Sequence, residues 1–367
     1  MQIVKKIFSL VKNNKQLDFN EFSHLALELF EYQFNTNPFY QEYCKQLNKT
    51  PQTVTSLVDI PFIPTRFFKN IDILNKDKKA CQVFYTSGTT DPSKKGRIYR
   101  DKESLDLMYL GFTKALGKYL NFESEKDRMV VLAYPGLPKD IKALFDIAFK
   151  NLRISQKKII YLTSTNSSLE ETVYILKRTV VTKEPICLIT ISPFLYSLMR
   201  VIKKRKLNLK LPKSSLVADG GDYRHNKKMT KQRWIKLVTQ IFRIPAYRYV
   251  NIYGLTETNS EFFDNVYFNH LIGKKGSRYK PHLPWTRTIA VDPKTLEPLP
   301  KGKKGFLRHY DLLNLSHALA IQTDDLGYEI ENGFEVIGKI KNAEAKICSY
   351  VTQKLLSNLY GKNKQKS

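Results

Sequence analysis

The run Phe84-Tyr-Thr-Ser-Gly-Thr-Thr-Asp-Pro-Ser-Lys-Lys-Gly96 gathers the hydroxyls of Thr86, Ser87, Thr89 and Thr90 around Gly88 and ends on Lys94 and Lys95. Such a loop can wrap an oligophosphate. Glycine lets the backbone approach closely, amide N–H groups and hydroxyls donate to phosphate oxygens, and lysine offsets their charge. The spacing is not that of a Walker loop, and the same composition also makes an ordinary solvated turn. A second stretch, Tyr253-Gly-Leu-Thr-Glu257, follows an apolar run and so falls at a strand's C-terminal end, where open α/β sheets bind ligands. There Tyr253 can stack on a purine, Thr256 can hydrogen-bond an anionic oxygen, and Glu257 can hold Mg²⁺ against phosphates. A strand end followed by a helix capped at Thr256, with Glu257 in its first turn, uses the same residues in a purely structural way. Gly220-Gly221 and Gln322-Thr-Asp-Asp-Leu-Gly327 each read, alone, as a bend or a turn.

The elements that must position these residues follow from periodicity. Phe22, Leu25, Leu29 and Phe30 recur at helical spacing, and a second helical stretch covers Phe39 to Leu47. Ile60-Pro-Phe-Ile-Pro-Thr-Arg-Phe-Phe-Lys69 is a structured connection that contacts the core, because each proline disfavours helix at the residue before it. From there short apolar runs alternate with helical patterns: Met129 to Tyr134, Ile159 to Thr163, Ile186 to Ile191, Leu216 to Ala218 and Tyr249 to Tyr253. That alternation predicts an α/β fold with mixed, largely parallel sheets flanked by helices. Ser192-Pro193 suits a helix start, and Tyr328 to Ile337 predicts a hairpin turning at Asn332-Gly333.

The chain has 367 residues, 42% of them hydrophobic and 26% charged, enough for a sizeable core with a ligand cleft. Cys44, Cys81, Cys187 and Cys348 form neither a metal-spaced set nor a disulfide framework, which suits a reducing cytoplasm. The N-terminus lacks the features of a signal peptide, and no apolar run is long enough for a transmembrane span. The net charge of +27 raises the question of nucleic acid, but the basic residues gather on no recognition helix or aromatic-rich strand, so no nucleic-acid partner is expected.

Taken in order, the four stretches resemble the adenylate-forming superfamily of acyl-CoA synthetases, luciferases and adenylation domains. That superfamily shares a Tyr-Thr-Ser-Gly-Thr-Thr-Gly loop, a Gly-rich adenine turn, Tyr-Gly-x-Thr-Glu, and Thr-Gly-Asp ahead of a hairpin and Gly-Arg. Here the matching residues are Tyr85 to Thr90, Gly220-Gly221, Tyr253 to Glu257, Thr323-Asp324-Asp325 and Gly338-Lys339. The resemblance implies ATP as cofactor with Mg²⁺ on Glu257, phosphates on the first loop, adenine framed by Gly220, Gly221 and Tyr253, and ribose hydroxyls on Asp325. Lys339 occupies the hinge position of this ATP site.

Within the superfamily the chain is similar to the acyl-protein synthetase family of the bacterial bioluminescence fatty-acid reductase. Asn37-Pro-Phe-Tyr40, Ile60-Pro-Phe-Ile-Pro64 and the ending Gly338-Lys-Ile-Lys-Asn-Ala-Glu-Ala-Lys-Ile-Cys348 carry that likeness. It implies an N-terminal-domain architecture over residues 1–337, beginning with a helical entry segment (1–70), and a short segment 338–367 in which Cys348 accepts the acyl group. Because 29 residues follow Gly338, the C-terminal domain of longer relatives is expected to be largely missing, and the catalytic lysine it carries has no assignment here. Three positions depart from the pattern: Asp91 stands for a glycine, Lys339 for the hinge arginine, and Ile347 for a glycine before the acylated cysteine.

The expected reaction is ATP-dependent activation of a fatty acid to an acyl-adenylate, with Thr256 and Glu257 at the reacting phosphates. Transfer to the Cys348 thiol follows, with Lys339, Lys341 and Lys346 lowering its pKa. An acyl reductase or other acyl-accepting protein is the expected partner. Two alternatives stand beside this reading: a CoA or acyl-carrier ligase with Cys348 idle, and a non-catalytic nucleotide-binding relative.

Overall fold

Along the chain helices come first, and local chemistry sets their limits. The computed structural model describes residues 2–75, 78–86, 95–223 and 229–339. Helix α1 (Gln2–Asn13) buries Ile3, Ile7 and Leu10 on one face. Helix α2 (Phe19–Thr36) starts at a capping box in which Asp18 accepts from the Glu21 amide and Glu21 accepts from the Asp18 amide. Helix α3 (Pro38–Gln46) starts at Asn37, whose side chain accepts from the Tyr40 amide, with Pro38 in the first turn. The remaining elements are β1 (Ile63–Pro64), β2 (Gln82–Tyr85), β3 (Arg97–Arg100), α4 (Lys102–Tyr119), β4 (Met129–Ala133), α5 (Lys139–Asn151), β5 (Ile159–Leu162) and α6 (Ser168–Thr182). They continue with β6 (Ile186–Ile191), α7 (Ser192–Lys204), β7 (Leu216–Gly220), α8 (Lys231–Phe242), β8 (Tyr249–Gly254), β9 (Glu261–Phe263), α9 (Val266–Leu271), β10 (Lys280–Pro281), β11 (Thr286–Val291), β12 (Gly305–Asp311), β13 (Ala320–Ile330) and β14 (Gly333–Lys339).

The chain divides into two compact units. One comprises Met1–Gly111, Leu255–Ser260 and His282–Ser367, the other Phe112–Gly254 and Glu261–Pro281. In the second, the apolar runs read from the sequence form a parallel sheet of order β5-β4-β6-β7-β8, closed by antiparallel β9. Strand β4 is buried throughout and β6 nearly so, as strands covered on both faces must be. Helix α7 starts at Ser192-Pro193 as expected.

In the first unit, β11 to β14 form an antiparallel sheet, with β1 added parallel to β13 through Ile63↔Ile321 and Pro64↔Gln322. The Pro-punctuated connection thus reaches the core as expected, burying Ile60, Ile63, Phe67 and Phe68. The hairpin β13–β14 forms, but the pair Ile330↔Gly333 puts Glu331-Asn332 at its tip. The turn sits one residue earlier than the Asn-Gly signal suggests, because Gly333 already pairs in the ladder and the Asn332 carbonyl accepts from the His282 amide (3.0 Å).

Candidate active site

Strands β2 and β3 pair antiparallel from Gln82↔Arg100 to Tyr85↔Arg97. The pairing continues at Thr86 and Gly96: the Thr86 amide donates to the Gly96 carbonyl (3.0 Å), and the Gly96 amide donates to Thr86 Oγ1 (2.8 Å). Thr86 and exposed Lys95 therefore stand at the mouth of the hydroxyl-rich loop. Ser87, Gly88, Thr89, Thr90 and Lys94 lie outside the described residues, as does Cys348.

The same unit holds Thr256, Glu257, Asp325 and Lys339. Leu255–Ser260 is a turn and not the start of a helix, so the structural alternative of a capped helix at Thr256 does not form. Its main chain is tied down at consecutive residues. Arg100 donates from Nη2 to the carbonyls of Thr256 (2.7 Å) and Thr258 (2.8 Å), and from Nε to Asn259 Oδ1. The Glu257 carbonyl accepts from His317 Nε2 (3.0 Å) and Asn314 Nδ2 (3.4 Å). Asn259 donates from Nδ2 to the Leu313 carbonyl (2.6 Å), and its amide donates to Asp311 (2.9 Å).

Glu257 is buried, and burial pushes its carboxyl up to about 7; Asp325 adds to the rise, while a hydrogen bond from its own backbone, Lys339 and Arg100 oppose it. No described cation comes within 4.0 Å of it. Asp325 faces Lys339 across the β13–β14 ladder at 4.0 Å, with Lys339 about half exposed. Thr323 orients this strand by donating to the Leu307 carbonyl (2.8 Å) and accepting from the Asp325 amide (3.1 Å).

Gly220, Gly221 and Tyr253 belong to the other unit, at the C-terminal ends of β7 and β8. Gly221 has φ +94°, a conformation that favours glycine. Tyr253 is half-buried and tilts against Phe262 at 6.2 Å between ring centroids. The next residue, Gly254, has the Glu261 carboxylate where a Cβ would stand, so a larger residue there would have to displace that side chain.

A family model described as acyl-protein synthetase, LuxE, matches residues 5–357. The chain belongs to that family. Among similar proteins are two long-chain-fatty-acid–luciferin-component ligases. That of Vibrio harveyi is 23% identical over 89% of this chain and 86% of its own length. That of Aliivibrio fischeri is 24% identical over 83% and 78%. Among solved structures, a 2-hydroxyisobutyryl-CoA ligase in an open conformation, in complex with 2-HIB-AMP and CoA, superposes with a TM-score of 0.64 over 90% of this chain and 78% of its own, at 12% identity. The chain thus has the fold of adenylate-forming ligases, with the sheets flanked by helices that the sequence predicts, and its family is one of acyl-protein synthetases.

For a LuxE-family ligase the donor set admits Mg²⁺ in one way. Among the described residues no group of three or more His, Cys, Asp or Glu could cage a metal, but Mg²⁺ is ordinarily held by one or two carboxylates together with substrate phosphates and water. Glu257, a buried carboxylate with no close cation among the described residues, fits that role, because a cation would relieve its desolvation.

Sequence reasoning missed Arg100, Asn259 and the loop between β12 and β13. That loop, Leu312 to Leu319, is buried throughout, although connecting segments ordinarily run over the surface. The available signal was Asn314, Ser316 and His317 set inside the otherwise apolar run Leu312-Leu-Asn-Leu-Ser-His-Ala-Leu-Ala-Ile321, since buried polar side chains need partners.

Proposed function

We propose that this LuxE-family protein activates a long-chain fatty acid with ATP and passes the acyl group to the thiol of Cys348. The observation that carries the reading is Glu257: a buried carboxylate held on a pinned turn, in one unit with the base of the hydroxyl-rich loop and with Asp325. The names of the Vibrio and Aliivibrio relatives support the long-chain acid.

In the first step a carboxylate oxygen of the acid attacks the α-phosphorus of ATP. The bond to pyrophosphate breaks, and pyrophosphate leaves with the electron pair. Both reactants are anionic, so the site must offset charge and hold the attacking oxygen in line. Thr86, Ser87, Thr89, Thr90, Lys94 and Lys95 bind the phosphates, Gly220, Gly221 and Tyr253 frame adenine, Asp325 binds the ribose, and Lys339 stands beside it. Glu257 would hold Mg²⁺, which would supply charge neutralisation. In the second step the Cys348 thiolate attacks the acyl carbon, AMP leaves, and the thiol proton passes to solvent. Segment 338–367 acts here as the acyl carrier, delivering the chain to an acyl-accepting protein such as a reductase.

The test incubates protein with ATP, Mg²⁺ and radiolabelled tetradecanoate without CoA. Acid-dependent ATP–pyrophosphate exchange and covalent label removed by neutral hydroxylamine are expected. Cys348→Ser should lose the label and keep the exchange. Exchange without label, together with rapid CoA thioester formation, would make Cys348 idle and the protein a CoA ligase; no exchange with any acid would make it a non-catalytic binder.

A further inference from the structure

Three consecutive carbonyls, those of Thr256, Glu257 and Thr258, point at donors that are almost completely buried. Arg100 is 1% exposed and takes the outer two; His317, fully buried, takes the middle one. Neither donor reaches the Glu257 carboxylate within ion-pair distance among the described residues. They act on the backbone that presents it.

His317 is the more informative of the two. Its Nε2 lies 3.0 Å from the Glu257 carbonyl oxygen. A carbonyl only accepts, which puts a ring hydrogen on Nε2. Among the described residues Nδ1 has no hydrogen-bond partner. A fully buried histidine that leaves one nitrogen unpartnered is kept for the bond its other nitrogen makes, because an apolar side chain would fill the space without that cost. The loop carrying His317 is itself braced: Gln33 of α2 donates to the Asn314 carbonyl and accepts from the Leu319 amide (3.0 Å), and Asn75 donates to the Leu315 carbonyl (3.2 Å). The Phe68 ring packs edge-on against the imidazole at 5.4 Å. Arg100 is fixed in turn by Phe84 of β2, whose ring lies 4.3 Å beneath the guanidinium, so one side chain joins the hairpin bearing the phosphate loop to the turn bearing the metal ligand.

From this geometry we infer that His317 and Arg100 are positioning residues for adenylation, fixing the Glu257 main chain so that its carboxylate meets Mg·ATP in one orientation. The inference rests on the reading of Glu257 as the Mg²⁺ ligand. Its signature is a change in Mg-dependent nucleotide binding that follows the geometry of the donor and not the mere presence of a polar group. Glutamine places its amide nitrogen where His Nε2 stands, whereas asparagine, one methylene shorter, places it near Nδ1.

The experiment measures ATP binding by calorimetry with Mg²⁺ and with EDTA, for wild type, His317→Gln, His317→Asn and His317→Leu, with circular dichroism as the check on folding. In wild type, Mg²⁺ should tighten binding. His317→Asn and His317→Leu should lose about tenfold of the Mg-dependent affinity, as expected for the loss of the shorter of the two hydrogen bonds to the Glu257 carbonyl, and bind ATP in EDTA as wild type does. His317→Gln should recover to within about twofold. Arg100→Lys, which keeps the charge but not the forked donor, should behave like His317→Asn. Should the leucine variant not fold, the Gln and Asn pair decides. Equal Mg-dependent affinities for Gln and Asn would overturn the inference alone. A wild-type protein whose ATP binding ignores Mg²⁺ would overturn the assignment of Glu257 and the inference with it.

Discussion

Each unit buries a carboxylate among basic residues, and the two are treated in opposite ways. Asp264, in the unit built on the parallel sheet, is fully buried, and burial alone would raise its pKa. Lys280 (2.7 Å) and Arg278 (2.5 Å) overcome that and hold its carboxyl well below the usual range. Its neighbour Asp219 is raised by burial yet accepts from Ser192 (2.8 Å), Tyr249 (2.6 Å) and Asn251 (3.1 Å). Glu257, in the other unit, is buried too, but Arg100 gives Nε to Asn259 and Nη2 to backbone carbonyls. A buried charge that is already matched holds the fold together. One without a close cation among the described residues is what the proposed metal role of Glu257 rests on.

That contrast can be broken most directly at Asp264. Asp264→Asn strands the buried Lys280 and takes a partner from the partly exposed Arg278, and removing one partner of a buried ion pair costs about 3–5 kcal/mol; denaturant unfolding should show a loss of that size with no effect specific to Mg²⁺. Glu257→Gln should act the other way round. Pyrophosphate exchange should fall on the order of a hundredfold, while the ligand-free protein keeps or gains stability; undiminished exchange would remove Glu257 from the site.

A pH series sharpens the same point. The carboxyl of Glu257 titrates near 7 in the folded protein and near 4.3 in an unfolded chain. Between those values the folded state holds a proton that the unfolded state has released, so Glu257 lowers stability progressively as pH rises, by about 3–4 kcal/mol once pH exceeds 7. Melting temperatures from pH 5 to 8 should therefore diverge between wild type and Glu257→Gln, with the variant pulling ahead at the alkaline end. Parallel curves would show that the carboxylate is not strained. The smallest effect belongs to Lys339, half exposed and 4.0 Å from Asp325: Lys339→Met should change stability by less than about 1 kcal/mol, and the change should shrink further in salt.

Local chemistry made much of this legible. The apolar runs at Met129, Ile159, Ile186, Leu216 and Tyr249 became the parallel strands because each carries its own burial signal. The hydroxyl loop and Tyr253 to Glu257 could be singled out because their residue types and spacing suit phosphate and metal chemistry, whereas Asp325 stood out only through the family resemblance. What stayed hidden is what acts across the chain. Arg100 meets Thr256 over 156 positions, and His317 meets Glu257 over 60; no periodicity links such pairs, since only the folded backbone brings them together. Nor does hydropathy show that Leu255–Ser260 belongs with one unit while the strands on either side of it belong with the other.

The bond between Gln33 and Leu319 spans 286 positions, and this sets an order on biosynthesis. At 5–20 residues per second a ribosome needs roughly 15–60 s to make the stretch between them. Helix α2 therefore emerges long before the loop it must brace, whereas the run from Phe112 to Gly254 holds most of its unit in one uninterrupted stretch. The parallel-sheet unit can assemble while the nascent chain is still tethered, and the unit bearing Glu257 closes last.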